Sequence, residues 1–199
     1  PIDETLEALD ALVCAGKVRA VGCSNETAYG LTKSLWSSDA RGLARYETIQ
    51  HNFSLLNRRF EDELATVCRR EHISCLPYSP IAGGVLSGKY QNGAFPAGAR
   101  FSRYREDDKR GAMMTARFIN AKTLETTARL GELAKQAGIA LATLATAWTL
   151  SRDFVGSTLI GATTVAQLDE TLAAADVTLS AETLAACDRV TREILYPMG

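Results

Sequence analysis

The sequence predicts an α/β fold, the C-terminal portion of a (β/α)8 TIM barrel: about four strands with their helices and one long loop. Three observations predict it. Short Val- and Ile-rich segments alternate with amphipathic stretches in the order α β α β α β, long loop, α α, β α, α, a pattern that implies parallel strands with right-handed crossovers. The chain opens on a helix, with Pro1 at a position suited to a first-turn proline and no capping residue before it. Four strands suit either a barrel or a doubly wound sheet, but four alone leave edges that parallel sheets bury. Residues 1–199 are therefore expected to form the second half of a single eight-stranded barrel domain.

Taken in order, Ile2, Leu6, Leu9, Leu12 and Val13 share one face of a helix over residues 2–15, which Gly16 stops in a left-handed conformation. Lys17 to Cys23 reads as a strand. Asn25 then caps a helix from Glu26 to Trp36. Tyr46 to Gln50 is a second strand, Arg58 to Glu71 a charged amphipathic helix, and Ile73 to Leu76 a third strand closed by Pro77 and Pro80. Residues 81–112, rich in Gly, Arg and Ser, read as an irregular loop, long enough to suggest a functional lid. Helices are expected over 115–137 and 140–152, separated by Gly138, and a fourth strand over Ser157 to Ile160. A helix from Val165 to Ala174 follows, and a last one is capped by Ser180 with Glu182 in its first turn.

Composition narrows the function. The 22 basic and 23 acidic residues nearly balance, which disfavours a nucleic-acid or anionic-membrane surface. No apolar run approaches the ~20 residues of a membrane span. Five cysteines lie far apart with no CxxC pair, so they read as reduced, buried thiols of a cytoplasmic protein rather than a disulfide framework or metal site. Trp36 and Trp148 read as packing residues, and the two histidines, His51 and His72, as uninvolved in acid–base chemistry.

In a barrel, ligands sit where strands end. After the first strand comes GCSN (Gly22 to Asn25), at the end of the second Gln50, after the third PYSPIAGGVLSGKY (Pro77 to Tyr90), and after the fourth GATT with Gln167, Asp169 and Glu170. Taken in this order, these motifs resemble the aldo-keto reductase family over the whole chain. GKVRAVGCSNETAYG, SPIAGGVLSGKY, GATTVAQLDE and the final YPMG are similar to the branch holding bacterial Tas-like proteins and potassium-channel β-subunits.

The resemblance implies that NADP(H) is the cofactor and a small carbonyl compound the substrate. By position it implies that Ser24 and Gln50, with Asn25 beside them, hold the nicotinamide carboxamide, and that Tyr78 stacks on the ring. Ser79, Pro80, Ile81, Ala82 and Gly83 would wrap the pyrophosphate. Lys89, Gly161, Thr163 and Gln167 would meet the 2′-phosphate, with Arg100 or Arg103 as a bidentate fork, and Glu170 would touch the adenine. The residue chemistry agrees: a GATT turn opening a helix offers free N–H groups and a positive dipole end to a phosphate, and a flat phenol offers a stacking face. Plainer roles exist for several of these residues, Ser24 as a helix cap, Gly83 as a turn glycine and Lys89 as a surface charge.

Two departures matter. Thr171 stands where the family often has an adenine-reading Asn, and the family's catalytic Tyr, Lys, Asp and His match nothing here, so no residue of this chain is assigned a catalytic role and the chain alone is expected to be inactive. The alternatives are a non-catalytic NADP(H)-binding regulatory protein of the channel β-subunit type, and an unrelated phosphate-binding barrel, which would not account for Ser24, Gln50 and Tyr78 together.

Overall fold

A computed structural model describes residues 1–198; Gly199, the last residue of the YPMG motif, lies outside the described residues. Helix α1 (Ile2–Cys14) leads into β1 (Val21–Ser24), α2 (Ala28–Arg41) and β2 (Tyr46–Asn52). A 3₁₀ turn at Arg59–Glu61 and helix α3 (Leu64–Glu71) precede β3 (Ser74–Tyr78). After two further 3₁₀ turns come α4 (Arg100–Glu106), α5 (Lys109–Phe118), α6 (Ala121–Gln136), α7 (Leu141–Leu150), α8 (Val165–Leu172) and α9 (Ala181–Glu193).

The three strands form one parallel sheet in the order β1-β2-β3. Gly22 faces Thr48 and Ser24 faces Gln50, while Gln50 faces Leu76 and Asn52 faces Tyr78. The helices cover one face of the sheet and bury Ile49 and Cys75 against Leu31, Leu35 and Cys68. An aromatic cluster of Phe53, Phe60, Trp148 and Phe154, with ring centroids 5.2 to 6.0 Å apart, fixes the β2–α3 connection against α7. Gly22, Ser24 and Gln50 stay exposed.

Several expectations from the sequence are corrected. Thr27, not Asn25, caps α2: its hydroxyl accepts from the Gly30 N–H at 3.0 Å, while Asn25 takes a left-handed backbone (φ 55°) and turns its amide elsewhere. The 81–112 segment is not irregular throughout, since α4 and part of α5 occupy it. The helix expected over 115–137 is broken at Asn120. There the Asn120 side chain accepts from the Thr123 N–H and the Thr123 hydroxyl accepts from the Asn120 N–H, a reciprocal capping box that starts α6 afresh.

The fourth strand does not form a ladder. Its segment meets β3 only at isolated bridges, Cys75 with Val155 and Tyr78 with Leu159, with Leu159 N–H donating to the Pro77 carbonyl at 2.8 Å. Between those bridges β3 advances from 75 to 78 while its partner advances from 155 to 159, one residue more, so regular pairing is lost. Trp36 is 61 % exposed, with the Lys33 ammonium 4.3 Å above its ring, whereas Trp148 is fully buried as expected. All five thiols are free, but Cys14 is exposed.

Because the capping box decides where α6 begins, Asn120→Ala should lower stability by about 1 kcal/mol and Asn120→Asp by less, read from the midpoint of urea unfolding. Equal losses in both variants would show that the Asn120 contact to the Pro197 carbonyl, not the cap, carries the effect.

Candidate functional site

The parallel register brings Ser24, Asn25, Gln50 and Tyr78 to one end of the sheet. The Asn25 N–H donates to the Gln50 carbonyl at 2.9 Å, tying the end of β1 to β2. The Tyr78 hydroxyl donates to Asn25 Oδ1 at 2.9 Å, and Asn25 Nδ2 donates to Ser24 Oγ at 3.1 Å. A hydroxyl, two amides and a phenol ring, with no formal charge among them, make a donor and acceptor set matched to an amide-bearing aromatic ring.

Beyond Tyr78 the backbone turns through Ser79 (φ 56°), Ala82 (φ 50°), Gly83 (φ 65°) and Gly84 (φ 99°), with Pro80 buried between them. The turn is closed by Ala82 N–H to the Ser79 carbonyl at 2.8 Å and Gly84 N–H to the Ile81 carbonyl at 2.9 Å. Two cations sit against it. A Cβ on Gly84 would lie 2.8 Å from Lys89 Nζ, and one on Gly83 would lie 3.4 Å from Arg100 Nη1 and 3.0 Å from the Phe101 ring. Among the described residues neither Lys89 nor Arg100 has a carboxylate within ion-pair distance. Burial, and then the charge of Arg100, hold the Lys89 ammonium below the ordinary lysine pKa. A half-buried lysine and an exposed arginine, like charges on one glycine turn, are chemistry that favours an anion. Arg100 and Arg103 are both exposed on α4, but of the two only Arg100 lies against a glycine of the turn.

The third group lies past the Tyr78–Leu159 bridge. Gly161 and Thr163 are exposed, and Gln167 Oε1 accepts from both the N–H (3.0 Å) and the hydroxyl (3.2 Å) of Thr163. The Glu170 side chain is exposed, while its carbonyl accepts from the Thr143 hydroxyl at 2.7 Å and fastens α8 to α7. Thr171 is buried, and its hydroxyl returns to the Gln167 and Leu168 carbonyls. It therefore presents nothing to a ligand.

Other candidates fall away. The His51 ring packs 5.3 Å from Phe60 rather than among the strand-end residues, and His72, with φ 58°, ends α3. Burial pushes the thiols of Cys23 and Cys187 up to about 11 and that of Cys68 up to about 12, too high for a thiolate nucleophile at neutral pH. Two hollows lie elsewhere on the surface. One of about 140 Å³ is lined by Leu56, Arg58 and Tyr196, and a more open one of about 360 Å³ by Arg69, His72 and Asp153. Sequence reasoning missed the Asn25–Tyr78 bond and the seating of Lys89 on Gly84. The only signal for the first was an Asn directly after a strand, where left-handed backbone is tolerated.

Comparison with known proteins adds an independent finding. The model of the Aldo/keto reductase family matches residues 1–192, and the chain belongs to that family. It is 40% identical over 197 residues to "Protein tas" of Escherichia coli (strain K12), covering 98% of this chain and 54% of that protein. It is 31% identical over 178 residues to "Probable voltage-gated potassium channel subunit beta" of Arabidopsis thaliana, covering 89% of this chain and 53% of that one. It is also 31% identical over 180 residues to "NADH-specific methylglyoxal reductase" of E. coli (strain K12), covering 90% of this chain and 51% of that enzyme. The chain thus spans about half the length of these relatives. Among the described residues no helix is long and apolar enough to cross a membrane.

Gly84 is the glycine whose geometry the site most requires. Gly84→Ala would force a left-handed non-glycine backbone and drive a methyl into Lys89 Nζ. The variant should lose about 1–2 kcal/mol of stability in chemical denaturation, and a neutral result would show that this turn is not held as described.

Proposed function

We propose that this chain supplies the cofactor-binding half of an NADPH-dependent oxidoreductase of the cytoplasm that interconverts aldehydes or ketones and alcohols. The observation that carries the reading is the Lys89–Arg100 pair, two cations on the turn that follows Tyr78 with no carboxylate partner among the described residues. NADPH bears a 2′-phosphate that NADH lacks, and a lysine point charge beside an arginine fork matches it. Ser24 and Gln50 are suited to the carboxamide and Tyr78 to the face of the nicotinamide. Gly161, Thr163 and Gln167 are suited to a phosphate near the start of α8, and Glu170 to the adenine. Between the two arginines the geometry favours Arg100 over Arg103.

When bound, the dinucleotide supplies the hydride. This chain's contribution is to orient the ring and neutralise the phosphates. Reduction also needs a proton for the developing alkoxide, and a positioned general acid gives roughly 10²–10⁴-fold. Of the site tyrosines, Tyr78 spends its hydroxyl on Asn25 and Tyr90 is buried. The acid is therefore assigned to the rest of the protein. The similarity to a channel subunit supports a second reading, a cofactor-binding regulatory protein, which turnover with aldehydes would exclude.

In the whole protein, Lys89→Ala should weaken NADPH binding about tenfold, near 1.5 kcal/mol, the lower end for a hydrogen bond to a charged group at a half-buried position. NADH binding should barely change, and an unaltered NADPH/NADH ratio would remove Lys89 from the site. Burial and Arg100 depress the Lys89 pKa in the free protein and a bound phosphate raises it again, so binding takes up a proton between the two values. NADPH affinity should therefore fall as pH rises through the depressed pKa, at a pH below 10.5, and Lys89→Ala should lose that decline. The 199 residues alone should not oxidise NADPH with a panel of aldehydes; turnover by a monodisperse preparation of this chain would place the general acid within it.

A further inference from the structure

We propose that residues 195–198 form a strap that ties the connection after β2 to the end of the long excursion between β3 and α6, and that opening this strap lets a bound dinucleotide leave. The second half of the proposal rests on the reading of Lys89 and Arg100 as phosphate ligands. The segment bonds to both connections. On the β2 side the Tyr196 hydroxyl donates to the Asp62 carboxylate, whose oxygens lie 2.9 and 3.0 Å away, and the Arg59 guanidinium sits 4.5 Å over the Tyr196 ring. The Met198 N–H donates to the Leu56 carbonyl at 3.4 Å, and Arg59 Nη1 donates to the Met198 carbonyl at 3.4 Å. On the other side Asn120 Nδ2 donates to the Pro197 carbonyl at 3.1 Å. Among the described residues neither Tyr196 nor Asp62 makes a hydrogen bond to a candidate cofactor residue, so the strap acts on the two connections and not on the ligand.

The strap is held against its own preference. Met198 is fully buried, but Leu195 is exposed, and Tyr196 takes a left-handed backbone (φ 46°) that a bulky side chain enters only when its surroundings hold it. Beneath it lies the hollow of about 140 Å³, walled by Leu195, Tyr196 and Pro197 of the strap and by Leu55, Leu56 and Arg58 of the β2 connection. A strained segment over a hollow, fastened by an exposed phenol–carboxylate bond, belongs to the part of a fold that opens at low cost. Its movement reaches the cations through a stiff unit. Gly111 lets α5 approach α4 so closely that a Cβ there would lie 2.3 Å from the Tyr104 carbonyl oxygen, and the Phe101 and Phe118 rings stand 5.0 Å apart. Helices α4 and α5 therefore move together, and Asn120, just after α5, holds their end to Pro197. Loosening that end draws Arg100, on α4, away from the turn after β3.

Tyr196→Phe keeps the ring and its contact with Arg59 and removes only the hydroxyl. Asp62→Asn keeps an acceptor without the charge. In the whole protein free of cofactor, amide hydrogen exchange over residues 100–119 should quicken roughly three- to tenfold in Tyr196→Phe, the worth of one hydrogen bond, and by less in Asp62→Asn. Exchange over β1 and β2 should stay as it was. Unchanged exchange over residues 100–119 in Tyr196→Phe, or an equal rise in β1 and β2, overturns the proposal. With NADPH bound, its release rate in stopped-flow should rise by a similar factor in Tyr196→Phe, and the double variant should release it no faster. A release rate that does not follow the exchange, or a further rise in the double variant, overturns the proposal as well. Failure of the unaltered protein to bind NADPH would contradict the functional reading, while the exchange still decides whether the strap holds the excursion.

Discussion

The parallel register of β1, β2 and β3 is the constraint on which the site depends. Side chains alternate between faces along a strand, so a one-residue slip of β2 would carry Gln50 to the helix-covered face and bring Ile49 out of the core. Gly22 helps set that register. A Cβ there would lie 2.3 Å from Thr48 Oγ1 and 2.7 Å from the Thr48 carbonyl oxygen, so β1 approaches β2 as it does because residue 22 has no side chain. The pairing shifts next to this point, between Val21 and Gly22, and runs regularly from there to Ser24 and Gln50. The Asn25 N–H extends the pairing one step past the strand, and the Tyr78 phenol carries the link to β3.

A second fixed point places the charges. Phe101 is fully buried between Tyr90 and Phe118, with ring centroids 5.7 and 5.0 Å away, and it stands against Gly83. The Phe101 N–H donates to the Tyr90 hydroxyl at 3.3 Å. This packing anchors α4 to the turn after β3 and puts Arg100, the residue before Phe101, beside the same turn as Lys89. The burial of one aromatic side chain, worth about 2–3 kcal/mol, thus holds two cations together against their repulsion on the turn that follows Tyr78.

Much of this was legible in the sequence because strand ends carry their own signatures. Ser24, Gln50 and Tyr78 each follow or close a short apolar run, and parallel strands necessarily align such ends. Helix α9 was equally plain, since Ser180 is a strong cap and does accept from the Thr183 N–H at 3.1 Å. The failures have physical causes. Asn25 and Thr27 are both good caps, and only the left-handed backbone at 25, set by pairing with Gln50, decides between them. The break at Asn120 was hidden because helical periodicity runs on through both α5 and α6. Helix α4 was hidden because its seven residues are mostly polar and gain their order from Phe101, a tertiary contact. The same contact separates Arg100 from Arg103, which sequence alone left open. The fourth strand failed because one extra residue between its bridges is invisible to a pattern of apolar residues.

The central claim is that the turn after β3 and the cations upon it recognise the 2′-phosphate of a dinucleotide. The measurement that tests it most directly is calorimetric titration of the whole protein with 2′,5′-ADP and with 5′-ADP, which differ by that one phosphate and carry no nicotinamide. The account predicts that 2′,5′-ADP binds at least about tenfold more tightly, as a charge-assisted contact worth ~1.5 kcal/mol requires, and that the advantage shrinks with added salt. Equal affinity for the two nucleotides would contradict it.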